Sequence, residues 1–242
     1  MKLTHTLAAL AATTLAANAA IIVTKDASAF AQNYDGNEIY DGTSYVNGWA
    51  AAGGLTAEST TGSVLTITDG TNGWVEHNTG DPILGLGASD GWTLEVTLGL
   101  DGTDGLALWQ DGSNGANGAL IYVGANGIGT GGDGSETNQS ISAVSNVGIH
   151  TFRLAFDTAT STINIWRDGA LVTDIAATSN PGGGPRLIIG DCCSGTGGVT
   201  FDTIDIHNIS YDTTGGFAPV PEPSSTALLG LGGLALILRR RK

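Results

Sequence analysis

The sequence contains few basic residues, two cysteines, six prolines and little aromatic character. Nine of its 242 residues are Lys or Arg, against 23 Asp and Glu, and the formal net charge is −14. Residues 20–222 hold four of those cations and all 23 acids, which gives this stretch a net charge of −19. Because nucleic-acid binding depends on cationic contacts with phosphates, we expect no nucleic-acid partner. An acidic surface attracts cations, and calcium is an open alternative as a ligand.

The only cysteines, Cys192 and Cys193, are neighbours in the chain. An ordinary disulfide joins Cα atoms about 4.4–6.8 Å apart, whereas neighbouring Cα atoms lie about 3.8 Å apart. Two alternatives stay open: a pair of small thiols in a Gly-rich loop, or a vicinal disulfide formed after export. No histidine or second cysteine pair lies nearby at a spacing that suits zinc, so we expect no such metal site.

Helical periodicity is nearly absent from the central part of the chain. Period-two alternation and short apolar runs dominate, separated by Gly, Asn, Asp and Thr, and many such strands without helices between them predict a sandwich. Residues 24–60 are too irregular for a register. The predicted strands are 64–68, 73–77, 92–100, 105–110, 119–124, 150–157, 162–167, 170–175, 186–189 and 199–211.

A short Asp-Gly pattern recurs at residues 69–73, 101–105 and 111–115. Asp-Gly and Asn-Gly are typical of hairpin turns, because glycine adopts a positive φ at little cost. A calcium loop needs oxygen ligands at alternating positions, which none of the three copies provides in the required pattern. We therefore predict a turn at each copy.

The one long apolar run lies at the C-terminus, at residues 226–238. As a helix its thirteen residues would rise about 20 Å, short of the ~30 Å core of a bilayer. The following cations would remain cytoplasmic, and the preceding prolines would keep their segment extended and accessible. This layout predicts a signal that is held in the membrane and cut near the Pro-Glu-Pro tripeptide. The residues are Pro221, Glu222 and Pro223 before the span, and Arg239, Arg240, Arg241 and Lys242 after it.

These three ordered features resemble the bacterial PEP-CTERM sorting signal, which exosortase-type transpeptidases recognise. The resemblance implies processing by such an enzyme, a membrane-held intermediate, and delivery to the cell surface or extracellular matrix. The alternative is an ordinary short tail anchor.

The N-terminus has the features of an export signal. Lys2 precedes an apolar stretch at residues 7–17, and Ala17-Asn18-Ala19 fits the rule for signal peptidase, which predicts cleavage before Ala20. The expected layout is a signal peptide at 1–19, a β-sandwich at 20–215, a linker at 216–225, a short transmembrane helix at 226–238 and a basic cytoplasmic tail at 239–242.

Three blocks in the second half, at residues 150–157, 163–172 and 201–208, resemble the laminin-G-like or concanavalin A-like lectin/glucanase superfamily. Ile149 stands where the family often has Trp, Trp166 replaces a Tyr, and His207 replaces a later Tyr. The resemblance implies an all-β fold, a two-sheet antiparallel jelly-roll sandwich. It also implies a structural role for His150, while we expect His77 and His207 at strand surfaces.

The superfamily contains both glycosidases and binding modules, so the fold does not decide the function. No glutamate begins the Glu-x-Asp-x-x-Glu pattern of the family's hydrolases. We therefore assign no catalytic residue and expect a non-catalytic carbohydrate-binding module. The alternatives are a structural, exopolysaccharide-associated surface protein without a specific ligand, and a divergent glycoside hydrolase.

Three tryptophans in Gly-, Asn- or Asp-rich surroundings are candidates for a sugar platform. They are Trp49, Trp74 and Trp109. Large, rigid aromatic side chains provide contact area at low entropic cost. The alternative for each is a place in the core, which we expect for Trp92 and Trp166.

Overall fold

The computed structural model describes residues 21, 23–77, 91–101, 106–110, 118–124, 127–130, 139–142, 145–177, 187–190 and 203–221. The predicted signal peptide, transmembrane span, basic tail and Cys192–Cys193 pair lie outside these residues. The described helices are a 3₁₀ turn at Ala27–Ala29 and α1 at Gly36–Ile39, and neither is long and apolar enough to cross a membrane. The strands are β1 (Gln32–Asp35), β2 (Trp49–Thr61), β3 (Val64–His77), β4 (Trp92–Leu100), β5 (Leu106–Gln110), β6 (Ala119–Gly124), β7 (Gly127–Thr130), β8 (Gln139–Ser142), β9 (Gly148–Asp157), β10 (Thr162–Arg167), β11 (Ala170–Ala176), β12 (Leu187–Gly190) and β13 (Thr203–Asp212).

The strands pair antiparallel in one continuous path, which confirms the all-β antiparallel expectation. Its order is β11-β10-β9-β4-β13-β3-β12-β5-β6-β7-β8, and β1 and β2 are added beside β13 and β3. One core cluster contains side chains from both halves of this path, among them Leu94, Leu154, Ile121 and Ile189. The path is therefore folded over into two packed layers. We call β11, β10, β9, β4, β13 and β1 the front layer, and β2, β3, β12 and β5 to β8 the back layer.

In the front layer, core-facing and outward-facing side chains alternate along each strand described below. In β4, Leu94, Val96 and Leu98 are fully buried in the core cluster, while the residues between them lie on the outer face. Successive side chains of a strand point to opposite faces, so the apolar positions turn inward together. In β9, Phe152 and Leu154 do the same, and Arg153 between them lies on the outer face.

The structure corrects the prediction of a hairpin turn at residues 69–73. The two strands expected at 64–68 and 73–77 form the single strand β3, which pairs with β2 along its length. The register shifts where Gly53, Gly54 and Leu55 face residues 73, 71 and 69. Because β2 supplies a partner throughout, the extra residues are accommodated as bulges and the chain does not reverse. On its other edge β3 pairs first with β13 and then with β12, so it joins the two layers.

Both ends of the described chain lie across the outer face of the front layer. Thr24 and Ala218 form a parallel bridge, in which Ala218 N donates to Val23 O (2.8 Å) and Lys25 N donates to Ala218 O (3.2 Å). Below them, Ala218 packs with Trp166 and Ala155 in a small second cluster. We call residues 23–25 and 215–218 the terminal strap. The chain therefore stays docked on the domain as far as Ala218, inside the segment 216–225 that we expected to be a linker.

Candidate functional site

The outer face of β3 carries the most distinctive pair of side chains in the back layer. Val75 and His77 are fully buried in the interior, so Trp74 and Glu76 alternate onto the opposite face. Trp74 is half-buried, and its Nε1 donates to Glu76 Oε2 at 3.0 Å. This hydrogen bond between positions i and i+2 fixes the indole against the strand.

Small residues flank this indole on both neighbouring strands. Trp74 pairs with Ala52 in β2 and with Gly190 in β12. Gly190 has a φ of +139°, and a Cβ there would lie 2.6 Å from Gly73 O and 2.8 Å from Trp74 Cβ. Only glycine lets β12 approach β3 this closely. The cross-strand partners of Trp74 therefore carry at most a methyl group.

Position 109, which holds the second predicted tryptophan, lies in the same cross-strand row as Glu76. Glu76 pairs with Ile188 in β12, and Ile188 pairs in turn with position 109 in β5. Paired residues lie on the same face of a sheet. The topology therefore places positions 74 and 109 on strands that are separated only by β12, although β3 and β5 lie far apart in the sequence.

Trp49 occupies a different place, which corrects its assignment as a platform candidate. Its side chain is 4% exposed and belongs to the main core. Its ring lies edge-on to Tyr34, with centroids 5.8 Å apart, and to His77, with centroids 5.1 Å apart. Because Trp49 pairs with the inward residue His77, the register of β2 turns the indole into the core.

The histidines also depart in part from the expectation. His77 is fully buried, not at the surface, and its Nε2 lies 3.0 Å from Asn47 O. His150 Nδ1 lies 2.8 Å from Asp168 Oδ2 and links β9 to the β10–β11 turn. Burial alone would raise the pKa of Asp168, but hydrogen bonds from Thr151 N and His150, with the charge of Arg167, lower it.

Every cation in the described part of the chain is paired with an acid. Lys25 Nζ lies 2.5 Å from Asp212 Oδ2, Arg153 Nη2 lies 2.6 Å from Glu95 Oε2, and Arg167 Nη1 lies 3.3 Å from Asp168 Oδ2. The described residues contain no group of three or more His, Cys, Asp or Glu placed to hold a metal ion. The excess of acids over cations therefore sets the sign of the surface potential.

Sequence reasoning found Trp74 but missed its partners. Glu76 could have been found from its i, i+2 spacing, which places both side chains on one face of a strand. The role of Gly190 had no local signal, because it depends on how closely a strand distant in sequence approaches Trp74.

Comparison with known proteins identifies the C-terminal signal. Residues 219–242 match the PEP-CTERM protein-sorting motif. This motif implies an exported protein that is processed by exosortase, and it is consistent with a membrane-anchored intermediate. No curated protein matches the sequence.

Solved structures resemble the folded part of the chain. The carbohydrate esterase vb_24B_21 from Shiga toxin-encoding bacteriophage phi24B has 18% identity and a TM-score of 0.51, covering 74% of this chain and 95% of its own. A sialidase has 13% identity and a TM-score of 0.49, covering 69% of this chain and 17% of its own. The carbohydrate recognition domain of Emp47p has 15% identity and a TM-score of 0.47, covering 77% and 94%. The likeness to the phage protein shows a shared fold.

Proposed function

We propose that this protein is an exported, lectin-like module that binds carbohydrate on the outer face of β3. Its sorting motif would deliver it to the cell surface or extracellular matrix after signal peptidase has removed residues 1–19. One observation carries the binding proposal: a half-buried tryptophan, Trp74, is held in place by a carboxylate, Glu76, on an outer sheet face.

The chemistry of this pair suits a sugar. The apolar face of a sugar ring packs on an indole, which provides rigid contact area at low entropic cost. The hydrogen bond to Glu76 fixes the indole before the ligand arrives, which reduces the ordering cost of binding. The carboxylate also accepts hydrogen bonds from hydroxyl groups.

The small cross-strand partners of Trp74 determine which ligands fit. Ala52 and Gly190 leave no bulky cross-strand neighbour beside the ring. Position 109 lies two strands from Glu76 in the pairing, or about 10 Å away. Ile188 between these positions is fully buried, so a ligand that reached both would pass over it and span more than one sugar ring; we infer an oligosaccharide or polysaccharide.

Charge favours a neutral polysaccharide. Residues 20–222 carry a net charge of −19, and the described cations are already paired with acids. An anionic polymer would be repelled unless a cation such as calcium bridged it to the protein. Binding of a neutral ligand without calcium is the expected result, and calcium-dependent binding is the alternative.

We also propose that the module is non-catalytic. A retaining glycosidase needs two carboxyl groups about 5–5.5 Å apart. The described cross-strand neighbours of Glu76 are Ala50 and Ile188, which are apolar. Glu76 is also hydrogen-bonded to an indole N–H, so its assigned role is to orient Trp74.

The test compares Trp74→Ala with Trp49→Phe in the mature exported protein. Binding to a panel of neutral and anionic polysaccharides is measured with calcium and with chelator. Trp74→Ala should weaken binding by about 30-fold, the equivalent of ~2 kcal/mol for an aromatic anchor. Trp49→Phe alters a core indole and should lower stability without changing affinity.

Other outcomes would redirect the proposal. Equal effects of both substitutions on affinity would remove β3 as the binding face. No saturable binding by the folded protein would favour the structural surface protein. Release of reducing sugar or of ester-linked acid, abolished by Glu76→Gln, would show a hydrolase.

A further inference from the structure

One buried guanidinium is hydrogen-bonded to both segments of the terminal strap. The side chain of Arg153 is 3% exposed, and its Nε donates to Glu95 Oε2 at 2.7 Å. Its Nη1 donates to Lys25 O and to Ala218 O, each at 2.8 Å. One side chain of β9 thus binds β4 and both terminal segments together.

A second hydrogen-bonding centre holds the C-terminal segment. Thr93 is fully buried, and its Oγ1 donates to Gly215 O (2.9 Å) and accepts from Phe217 N (2.8 Å). Gly216 lies so close to β9 that a Cβ there would be 2.4 Å from Phe156 O. Residues 215–217 therefore fit this face with little space for displacement.

Among the described residues, docking ends where the sorting motif begins. Ala218 is the last residue with strap hydrogen bonds, and the matched motif begins at residue 219. Pro219 and Pro221 have no backbone N–H, so neither can continue the pairing. Beyond Ala218, Val220 is 48% exposed and Pro221 is exposed.

We propose that the terminal strap positions the chain for the sorting reaction. The strap fixes Ala218 as the point where the chain leaves the folded domain and restricts processing to residues after it. Exosortase would break one peptide bond beyond Ala218, pass the acyl group to water or to an acceptor amine, and release the tail with a free amino group. Arg153 and Thr93 act as positioning residues, because they act through the docked strap.

The physical basis is the cost of opening the strap. A protease can bind residues 215–218 only after they leave β4 and β9, so cleavage there follows the population of the open form. With the strap docked, one processed C-terminus is expected. This inference depends on the sorting motif and is independent of the carbohydrate proposal.

The matched test uses two threonines on the same face of β4. Thr93→Val keeps the side-chain shape and removes both hydrogen bonds to the strap. Thr97→Val is the control, because Thr97 Oγ1 bonds Thr151 Oγ1 (2.9 Å) and not the strap. Thr93→Ser keeps a hydroxyl at this position. Gly216→Ala displaces the strap because its added Cβ clashes with the backbone of Phe156.

Each full-length variant is produced in a host that carries exosortase, and intact mass gives the C-terminus of the processed protein. Wild type, Thr97→Val and Thr93→Ser should give one C-terminus beyond Ala218. Thr93→Val and Gly216→Ala should give additional products that end within residues 215–218, with at least tenfold faster cleavage there by an added nonspecific protease.

The measurement separates positioning from stability. Thermal unfolding is recorded for every variant, and variants of equal stability are compared. If Thr93→Val and Gly216→Ala keep the wild-type C-terminus and cleavage rate, the strap is a purely structural contact and the proposal fails. If Thr93→Val does not fold, Gly216→Ala decides alone by the same criterion.

Discussion

Replacing the buried Arg153 with methionine should strongly destabilise the protein. Met has an apolar stem of similar length but cannot donate hydrogen bonds. The substitution leaves Glu95, whose side chain is 15% exposed, without its cation, and leaves the carbonyl groups of Lys25 and Ala218 without a donor. Breaking a buried ion pair in this way costs about 3–5 kcal/mol.

The assay is urea unfolding followed by tryptophan fluorescence, with thermal unfolding beside it. For a domain of this size, about 2–4 °C are lost per kcal/mol, so the melting temperature should fall by roughly 6–20 °C. If the strap leaves the surface before the core unfolds, the m-value will fall together with the midpoint, because less surface remains to be exposed.

A double-mutant cycle tests whether the stranded carboxylate causes the loss. Glu95→Gln added to Arg153→Met removes the uncompensated charge and should recover more than 1 kcal/mol, a coupling expected for groups in direct contact. Arg167→Met is the control: its ion pair with Asp168 is longer, at 3.3 Å, and the Asp168 side chain is 45% exposed, while its Nη2 donates to Ser145 O and lies 2.9 Å from His150 Nε2. We expect that change to cost about 1 kcal/mol or less.

One result would refute the reasoning about Arg153. If Arg153→Met costs no more than Arg167→Met, then the buried guanidinium does not hold the terminal segments. Zero coupling in the cycle would likewise show that Glu95 is not the group left stranded.

Two further predictions concern acid and the shape of the binding face. Burial alone would raise the pKa of Asp212, but hydrogen bonds from Lys25 and Thr214 lower it. The ionised carboxylate therefore stabilises the fold above the ordinary aspartate pKa, and this contribution is lost as pH falls through the lower folded-state pKa. Below about pH 4, protease cleavage at residues 213–218 should therefore increase. The Asp212→Asn variant should be cleaved quickly at neutral pH as well. Cleavage of the wild type at a rate independent of pH would contradict this. Gly190→Ala should destabilise the protein by ~2 kcal/mol or more and displace Trp74, because the added Cβ meets the backbone of residues 73 and 74 at 2.6–2.7 Å. A variant with the fluorescence spectrum and stability of the wild type would contradict this prediction.

Local alternation was sufficient to predict many of the strands. The predicted bounds of β4, β6 and β10 coincide with the observed strands, since each alternates or runs apolar between clear turn residues. The strands β1, β2, β7 and β8 were not predicted. The Ala- and Gly-rich start of β2, at residues 50–54, has no alternating pattern, and its long pairing with β3 is what makes it a strand.

The candidate site was likewise predicted only in part from the sequence. Sequence reasoning could name Trp49, Trp74 and position 109 but could not rank them. The pairing of Trp49 with His77 turns one indole into the core, while the alternation of β3 keeps Trp74 on the outer face. Register between strands decides burial, and a shift of one residue would exchange the two faces.

The sequence by itself determined the acidic character, the all-β fold and the sorting motif at residues 219–242. Each of these is a local or compositional property, since it depends on residue types or on neighbours a few positions apart. Only the tertiary structure decided that Arg153 joins Lys25, 128 positions before it, to Ala218, 65 positions after it. That contact exists because folding buries one guanidinium beside two backbone carbonyl groups, and no pattern in either terminal segment encodes it.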